Sequence, residues 1–204
     1  MKNLEAIKCY KTKEAESIEQ LVKALKNNRW VQLLDPQSKQ KLISENFLPK
    51  GPGVIISSGG STQGPNLCLL PQSNLNQSAN STGSWLHSLG INPEKCLILN
   101  SLPIHHVSGL MPWWRSNLWG SYHQWLPPLL MKNPIKLKTY TSSLIEQTDL
   151  PLITSLVPTQ LHSLIDNPIG EKWLKYFKLI WIGGSSLPIN LALKARAKGI
   201  RLAP

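Results

Sequence analysis

The residues that could do chemistry in this sequence lie in three short loops, and the first of them is residues 57–66, SSGGSTQGPN. This loop follows the apolar run GVII and holds three glycines, four hydroxyl side chains and no charge. Glycines let backbone N–H groups turn toward an anion, and the hydroxyls of Ser61 and Thr62 can add donors or reach a phosphate-bound metal ion. The loop therefore has the composition of a phosphate cradle, although its spacing matches neither the Walker nor the dinucleotide-binding pattern. A flexible surface turn is the alternative interpretation.

The second loop places His105 and His106 after the strand-length apolar run CLILNSLP, at the start of a predicted helix. Adjacent histidines on a helix point about 100° apart, so the two are poorly placed to ligate one metal ion. One of them can face a pocket. The alternative is that the pair simply begins the helix, with backbone groups as partners.

The third loop is IGGSSLP, in which Gly183 and Gly184 end a predicted strand. Glycines at this place would let the backbone approach a flat ligand closely. The serines have a simpler explanation, because Ser185 or Ser186 could cap the helix that follows.

Strands and helices must bring these loops together. The first clear element is a helix over residues 14–27, where Ile18, Leu21, Val22 and Leu25 form one apolar face. Four-to-seven-residue apolar runs then alternate with helical segments to the end of the chain, and the helix after the histidine pair is expected to be interrupted at Pro112. This alternation predicts an α/β fold of largely parallel sheets with helices on both faces, in which ligands bind beyond the carboxyl ends of the strands.

The 204 residues carry a formal net charge of +11, which raises the question of a nucleic-acid partner. Residues 1–50 hold ten Lys and Arg against six Asp and Glu, and residues 131–204 hold ten against four. The middle of the chain is almost uncharged, and no basic run interleaves with aromatic residues. The pattern therefore favours solvated lysines on two flanking regions over a nucleic-acid surface.

The three cysteines are odd in number, widely spaced and without a C-x-x-C pair, which argues against a disulfide framework or a zinc site. The N-terminus has no apolar signal core, and no apolar run approaches the roughly 18 residues that would span a bilayer. We therefore expect a cytoplasmic protein without a metal site of its own.

Taken together, the loops resemble those of the acyl-adenylate-forming (AMP-binding) enzymes, the superfamily of acyl-CoA synthetases, peptide-synthetase adenylation domains and luciferases. The motifs GSTQGP, LPIHHVSGLM, SLVPTQL and WIGGSSLP occur in the order and spacing of that family. The sequences of these motifs are most similar to those of the 2-succinylbenzoate–CoA ligases of menaquinone and phylloquinone synthesis. The resemblance runs from about residue 50 to the end, and implies an N-terminal helical or extended segment at 1–50 and a partial AMP-binding domain at 51–204.

The resemblance also implies a reaction and its ligands. A carboxylic acid would attack the α-phosphate of ATP, with Mg²⁺, to give an acyl-adenylate, and the thiol of CoA would then displace AMP. Phosphates would be held by Gly60, Ser61, Thr62 and Gly64, the adenine would lie beside Gly183, Gly184 and Ser185, and His106 would border the acyl pocket. A homo-oligomer is compatible with this assignment.

The sequence departs from the family at several points. Gln63 stands where glycine is usual and Asn66 where lysine is usual, so the loop lacks a positive charge that favours phosphate. The family's Tyr-Gly-x-Thr-Glu motif, its ribose-binding aspartate and its catalytic lysine have no counterparts in these residues, so the catalytic residues are unassigned. Two hypotheses follow: a fragment of an acid–CoA ligase that forms no acyl-CoA alone, or a truncated, inactive relative that acts at most as a binding or interaction protein.

Arg115 is a further candidate, since it is the only arginine between Arg29 and Arg196 and stands among tryptophans just after the presumed acyl-pocket motif. A dicarboxylic substrate leaves one carboxylate free when the other is adenylated, and that carboxylate needs a cation in an apolar pocket. The alternative is an arginine whose stem covers a tryptophan while its head reaches water.

Overall fold

The computed structural model describes residues 3–11, 13–38, 40–58 and 66–204, and in these ranges the chain folds into two sheets and seven α-helices. The helices are α1 (Glu14–Lys26), α2 (Gln72–Ser88), α3 (Val107–Trp119), α4 (Pro134–Glu146), α5 (Pro158–Ile165), α6 (Pro168–Leu174) and α7 (Ile189–Ala197). The strands are β1 (Leu4–Lys8), β2 (Trp30–Leu34), β3 (Gly53–Ser57), β4 (Leu67–Pro71), β5 (Leu97–Asn100), β6 (Tyr122–Trp125), β7 (Leu152–Leu156), β8 (Leu179–Ile182) and β9 (Leu202–Ala203).

The first sheet has the strand order β1-β2-β3-β4. Its first three strands are parallel, and β4 runs antiparallel to β3 with Ile56 opposite Cys68. Strands from both sides of residue 50 thus belong to one sheet. The domain boundary at residue 50 stays a prediction.

The second sheet is parallel throughout and has the order β6-β5-β7-β8-β9. After β5 the chain forms β6, which pairs with one edge of β5. It then returns past β5 and forms β7, which pairs with the opposite edge of β5. The loops that follow β5 and β7 therefore leave in opposite directions and open a crevice between them. In doubly wound α/β sheets this switch point is the usual place for a ligand.

Helices cover both faces of the second sheet, which confirms the predicted α/β architecture. On one face, alternate strand residues such as Leu99, Leu156 and Ile182 pack in a core with the buried side chains of α4, α5, α6 and α7. On the other face, Ile98, Ile153 and Trp181 pack with Leu86 of α2. The helix α3 contacts β5 to β7 and also packs against the first sheet, so it lies between the two sheets.

The interruption predicted at Pro112 is wrong, because α3 is continuous from Val107 to Trp119. Proline in a helix interior costs about 3 kcal/mol through its missing N–H and its clash with the preceding turn. Here the neighbouring residues Leu110, Met111, Trp113 and Trp114 are all buried, and this packing holds the helix together.

Candidate functional site

A cavity of about 470 Å³ lies at the switch point of the second sheet. Its walls come from the carboxyl ends of strands in both sheets, with His106 after β5, Val157 after β7 and Gly183 after β8. The complete lining is Ile56, Ser57, Ser58, Cys68, His106, Val107, Ser108, Val157, Gly183 and Gly184. The structure thus brings the histidine loop, the glycine pair of the IGGSSLP loop and the first two residues of the glycine-rich loop to one cavity.

The loop that carries His106 is fixed by the buried side chain of Asn100 at the end of β5. Its Nδ2 donates to the backbone oxygen of Gly109 at 2.9 Å, and its Oδ1 accepts from the N–H of Leu102 at 3.1 Å. Gly109 allows a very close approach, since a Cβ there would lie 2.1 Å from the backbone oxygen of Pro103. These two residues set the position of the histidine loop, and sequence reasoning missed both.

The two histidines differ in their surroundings. His106 is the residue before α3 and lines the cavity, and burial lowers the pKa of its imidazole against a smaller opposing effect of Asp35. The buried His105 ring lies 4.5 Å from that of His106, and burial lowers its pKa to about 4. His105 is therefore neutral at neutral pH. Across the described ranges no group of three or more His, Cys, Asp or Glu could hold a metal ion.

The two glycines that follow β8 line the cavity. Gly184 has a φ of +84°, and a Cβ at this position would lie 3.0 Å from Cγ1 of Val157. Gly183 is different, because a Cβ there would meet only Cβ of Ser108, at 4.0 Å. The missing side chain of Gly183 therefore leaves open space where the backbone meets the cavity.

The serines of this third loop do not cap a helix. The following helix, α7, begins at Ile189 with Pro188 in the N-cap position and no side-chain capping bond, so the capping interpretation of Ser185 and Ser186 is wrong. Both serines are exposed, and neither lines the cavity.

The glycine-rich loop itself lies mostly outside the described residues. Gly60, Ser61, Thr62 and Gly64, the residues predicted to hold phosphate, are among residues 59–65. Its two ends are described: the N–H of Ser58 donates to the backbone oxygen of Asn66 at 2.8 Å. Because Ser57 and Ser58 line the cavity, the loop starts at the cavity wall.

A second cavity, of about 200 Å³, adjoins the first and shares Val107, Ser108 and Gly183 with it. Arg115 of α3 lines this second cavity, and its side chain is the only charged one in the described lining of either. Its Cζ lies 4.5 Å from the centre of the Trp181 ring. Sequence reasoning had placed Arg115 among Trp113, Trp114 and Trp119, whereas the ring it stacks on comes from β8.

Arg115 is largely removed from water, and no ion pair joins it to an acidic side chain of the described residues. Burial lowers its pKa to about 10, so the guanidinium stays protonated at neutral pH. Its Nε is buried and has no acceptor among the residues described. A cation in this state favours an anion in the cavity beside it.

Two further findings concern the helices and the lining of the two cavities. In the described part of the chain, no helix is both long and apolar enough to cross a membrane. The lining of the two cavities is mainly apolar, with hydroxyl groups and one cation, as expected for a small organic anion.

Comparison with known proteins gives matches of structure alone. No protein-family model matches the chain, and no curated protein sequence matches it. Among solved structures, unliganded o-succinylbenzoate CoA synthetase from Bacillus subtilis matches with a TM-score of 0.68 at 14% identity, over 98% of this chain and 50% of that chain. The E. coli enzyme bound to an analogue of OSB-AMS matches with a TM-score of 0.62 at 18% identity, over 98% and 48%.

A malonyl-CoA ligase with methylmalonyl-CoA and AMP bound also matches, with a TM-score of 0.69 at 16% identity, over 98% of this chain and 50% of that one. A further B. subtilis o-succinylbenzoate CoA synthetase structure, with a product analogue, is covered over 38% of its length. The chain therefore spans half or less of these structures. Over that span, it has the fold of the N-terminal domain of the acyl-adenylate-forming ligases.

Proposed function

We propose that this chain carries the acid-binding part, and part of the nucleotide-binding part, of an ATP-dependent acid–CoA ligase that acts on 2-succinylbenzoate in menaquinone or phylloquinone synthesis. The observation that carries the proposal is the convergence of His106, Val157 and Gly183 on one cavity at the sheet's switch point. The neighbouring structures support it, because they include o-succinylbenzoate CoA synthetase with AMP and with ATP and magnesium ion. We expect the protein to act in the cytoplasm.

The nucleotide would occupy the larger cavity. Its phosphates would bind Gly60, Ser61, Thr62 and Gly64, and its adenine would lie against Gly183 and Gly184 and extend toward Ser185, which follows them outside the cavity lining. The open space at Gly183 fits this role, since a flat ring could lie against the backbone there. The hydroxyls of Ser57, Ser58 and Ser108 line the same cavity and could orient the ATP. The ligands of the expected Mg²⁺ are unassigned.

The acid would lie between the two cavities. His106 would border its reacting end, and Arg115 would bind the carboxylate that does not react. That carboxylate would supply the counter-charge that Arg115 lacks among the described residues. The chain's own contribution to the chemistry is therefore positioning: it would hold the reacting carboxylate near the α-phosphate and exclude water from both. The products would be an acyl-adenylate and pyrophosphate, and then an acyl-CoA and AMP.

The second hypothesis, an inactive relative that serves as an interaction protein, is favoured by Gln63 and Asn66. Each stands where the resemblance calls for a residue better suited to phosphate. Binding separates the two hypotheses, because an inactive interaction protein need not retain affinity for acid or nucleotide.

Calorimetric titration with an acyl-sulfamoyl adenosine, a stable analogue of the acyl-adenylate, tests the proposal. We expect binding by the 204-residue chain and a loss of about tenfold or more in Gly183→Val, whose side chain would occupy the cavity. Gly183 has no positive φ, so the variant should keep the melting temperature of the parent within a few degrees. Ser186→Val is the matched control, because Ser186 is exposed and outside the cavity lining. No binding by the parent chain would favour the inactive relative.

A further inference from the structure

Trp181 stands at a place where nothing in the sequence pattern assigned a role. It lies near the carboxyl end of β8, on the face of the sheet that is turned toward α2 and α3. Its ring lies under the Arg115 guanidinium at 4.5 Å, and both residues line the second cavity. A cation over an indole face is attracted to the ring, most strongly where water is excluded. The indole therefore helps to fix where the guanidinium lies.

The nitrogen of this indole is also without a partner. Nε1 of Trp181 is buried and has no acceptor among the described residues, as is true of Nε of Arg115. Buried N–H groups almost always have an acceptor, and one left alone destabilises the fold. Other buried atoms also lack a partner, but Arg115 and Trp181 are the two such residues that line this cavity, so a molecule bound there could supply the acceptor.

Several other tryptophans differ from Trp181 in the hydrogen bonding of their indole N–H. Four of them donate their Nε1–H to an acceptor in the protein: Trp30 to Pro49, Trp114 to Asn76, Trp119 to Ala79 and Trp173 to Thr141. These four indole donors therefore have acceptors within the described residues. At Trp181 the buried donor has no acceptor among the described residues, and the neighbouring Arg115 has no acidic side-chain partner there.

We infer that Trp181 is a binding and positioning residue for the acid: its ring face holds the Arg115 guanidinium in place, and its Nε1–H donates to an oxygen of the carboxylate that Arg115 binds. This inference rests on the proposed function, since it needs an acid whose second carboxylate enters the smaller cavity. A carboxylate suits both donors, because it has two oxygens and balances the charge of Arg115. Trp181 would thereby favour dicarboxylic over monocarboxylic acids.

Two variants separate the two parts of this role. Trp181→Phe keeps an aromatic face under Arg115 and removes the N–H, whereas Trp181→Leu removes both. Each is titrated calorimetrically with 2-succinylbenzoate and with benzoylpropionate, which has the same skeleton without the carboxylate on the ring. Trp114→Phe, a neighbour of Arg115 whose donor bonds Asn76, is the matched control for loss of a buried indole N–H.

We expect Trp181→Phe to lower the affinity for 2-succinylbenzoate by about tenfold and Trp181→Leu to lower it further. The affinity for benzoylpropionate should stay within about twofold of that of the parent. Trp114→Phe should bind both acids as the parent does. Equal weakening of both acids by the Trp181 variants, or no weakening of either, would overturn the inference. Failure of the parent chain to bind 2-succinylbenzoate would instead refute the proposed function. Weakening by Arg115→Lys with no effect of Trp181→Phe would leave the function standing without this role for Trp181.

Discussion

The amide of Asn100 and the backbone of Gly109 are joined by a hydrogen bond of 2.9 Å, which links the end of β5 to the first turn of α3. His106 lies between these two residues in sequence. The position of the histidine in the cavity therefore depends on a buried amide six residues before it.

Asn100→Leu should destabilise the protein. The substitution keeps a similar volume but leaves the Leu102 N–H and the Gly109 carbonyl without their partner in a buried place. We expect the free energy of unfolding to fall by about 2–4 kcal/mol, measured by urea denaturation. The exposed Asn190→Leu is the control and should change it by less than about 0.5 kcal/mol. Equal effects of the two variants would show that Asn100 does not hold the loop.

Gly109→Ala and Gly183→Ala should behave in opposite ways. At Gly109 the new Cβ would lie 2.1 Å from the oxygen of Pro103, so backbone must move, at a cost of about 3 kcal/mol or more. At Gly183 the nearest atom is 4.0 Å away, and the change should cost under about 1 kcal/mol. Thermal unfolding of the two variants checks the contrast, and similar melting temperatures would contradict the close packing described for α3.

Stability should depend on pH through His123. Burial lowers the pKa of His123 from its ordinary value of 6.5 to about 4, and its Nε2 accepts from Nδ2 of Asn100 at 3.2 Å. Between these two pH values the unfolded chain binds a proton that the folded chain does not, so the free energy of unfolding falls as the pH is lowered.

The variant His123→Gln tests this dependence, because glutamine can accept the same hydrogen bond and does not titrate. We expect its loss of stability between pH 6.5 and 4 to be smaller than that of the parent by roughly 2–3 kcal/mol, followed by urea denaturation at each pH. His87→Gln, at an exposed position, is the control. A pH profile that His123→Gln leaves unchanged would assign the effect to other groups, of which His105 is the next candidate.

Arg115→Ala should discriminate between acids. Loss of the guanidinium removes the cation available to a second carboxylate, so 2-succinylbenzoate should bind more weakly by about 2 kcal/mol while benzoylpropionate is little changed. Calorimetric titration measures both. An equal effect on the two acids would mean that Arg115 has only a packing role against Trp181.

The double substitution Ser61→Ala and Thr62→Ala should lower the affinity for ATP. Each hydroxyl donor is worth about 0.5–1.5 kcal/mol in a net hydrogen bond, and somewhat more to a charged phosphate. Titration with ATP and Mg²⁺ checks the double variant against Thr82→Ala with Ser84→Ala, a half-buried and an exposed hydroxyl residue of α2. Unchanged affinity would remove the loop from the site.

Elements with a strong local signal were predictable. The helix α1 was found because its apolar residues recur with the period of a helix. The strand β8 was found because LIWI is a short continuous apolar run with β-branched residues. The strands β1, β4, β6 and β9 and the helices α4 and α6 were not predicted. The sequence of β1, LEAIK, has only a weak alternation, and its strand form depends on pairing with β2.

The site was predictable at the level of loops and not of contacts. His106 and Gly183 were identified because they follow apolar strands, and strand ends meet at one edge of a parallel sheet. The stacking of Arg115 on Trp181 joins residues 66 positions apart, and no local pattern reports it. The same holds for Asn100, whose buried amide reads from sequence as one more residue at the end of a strand.

The two sheets use separate parts of the chain. All strands of the first sheet lie before residue 72 and all those of the second lie after residue 96, with no strand exchanged between them. During synthesis, the first sheet can therefore assemble on the ribosome before any strand of the second has emerged. The helices α2 and α3 are made next and can dock on this finished surface, where they would form a template for the parallel strands that follow. Synthesis in this order would shield the apolar face of the first sheet before the parallel pairings of the second sheet begin.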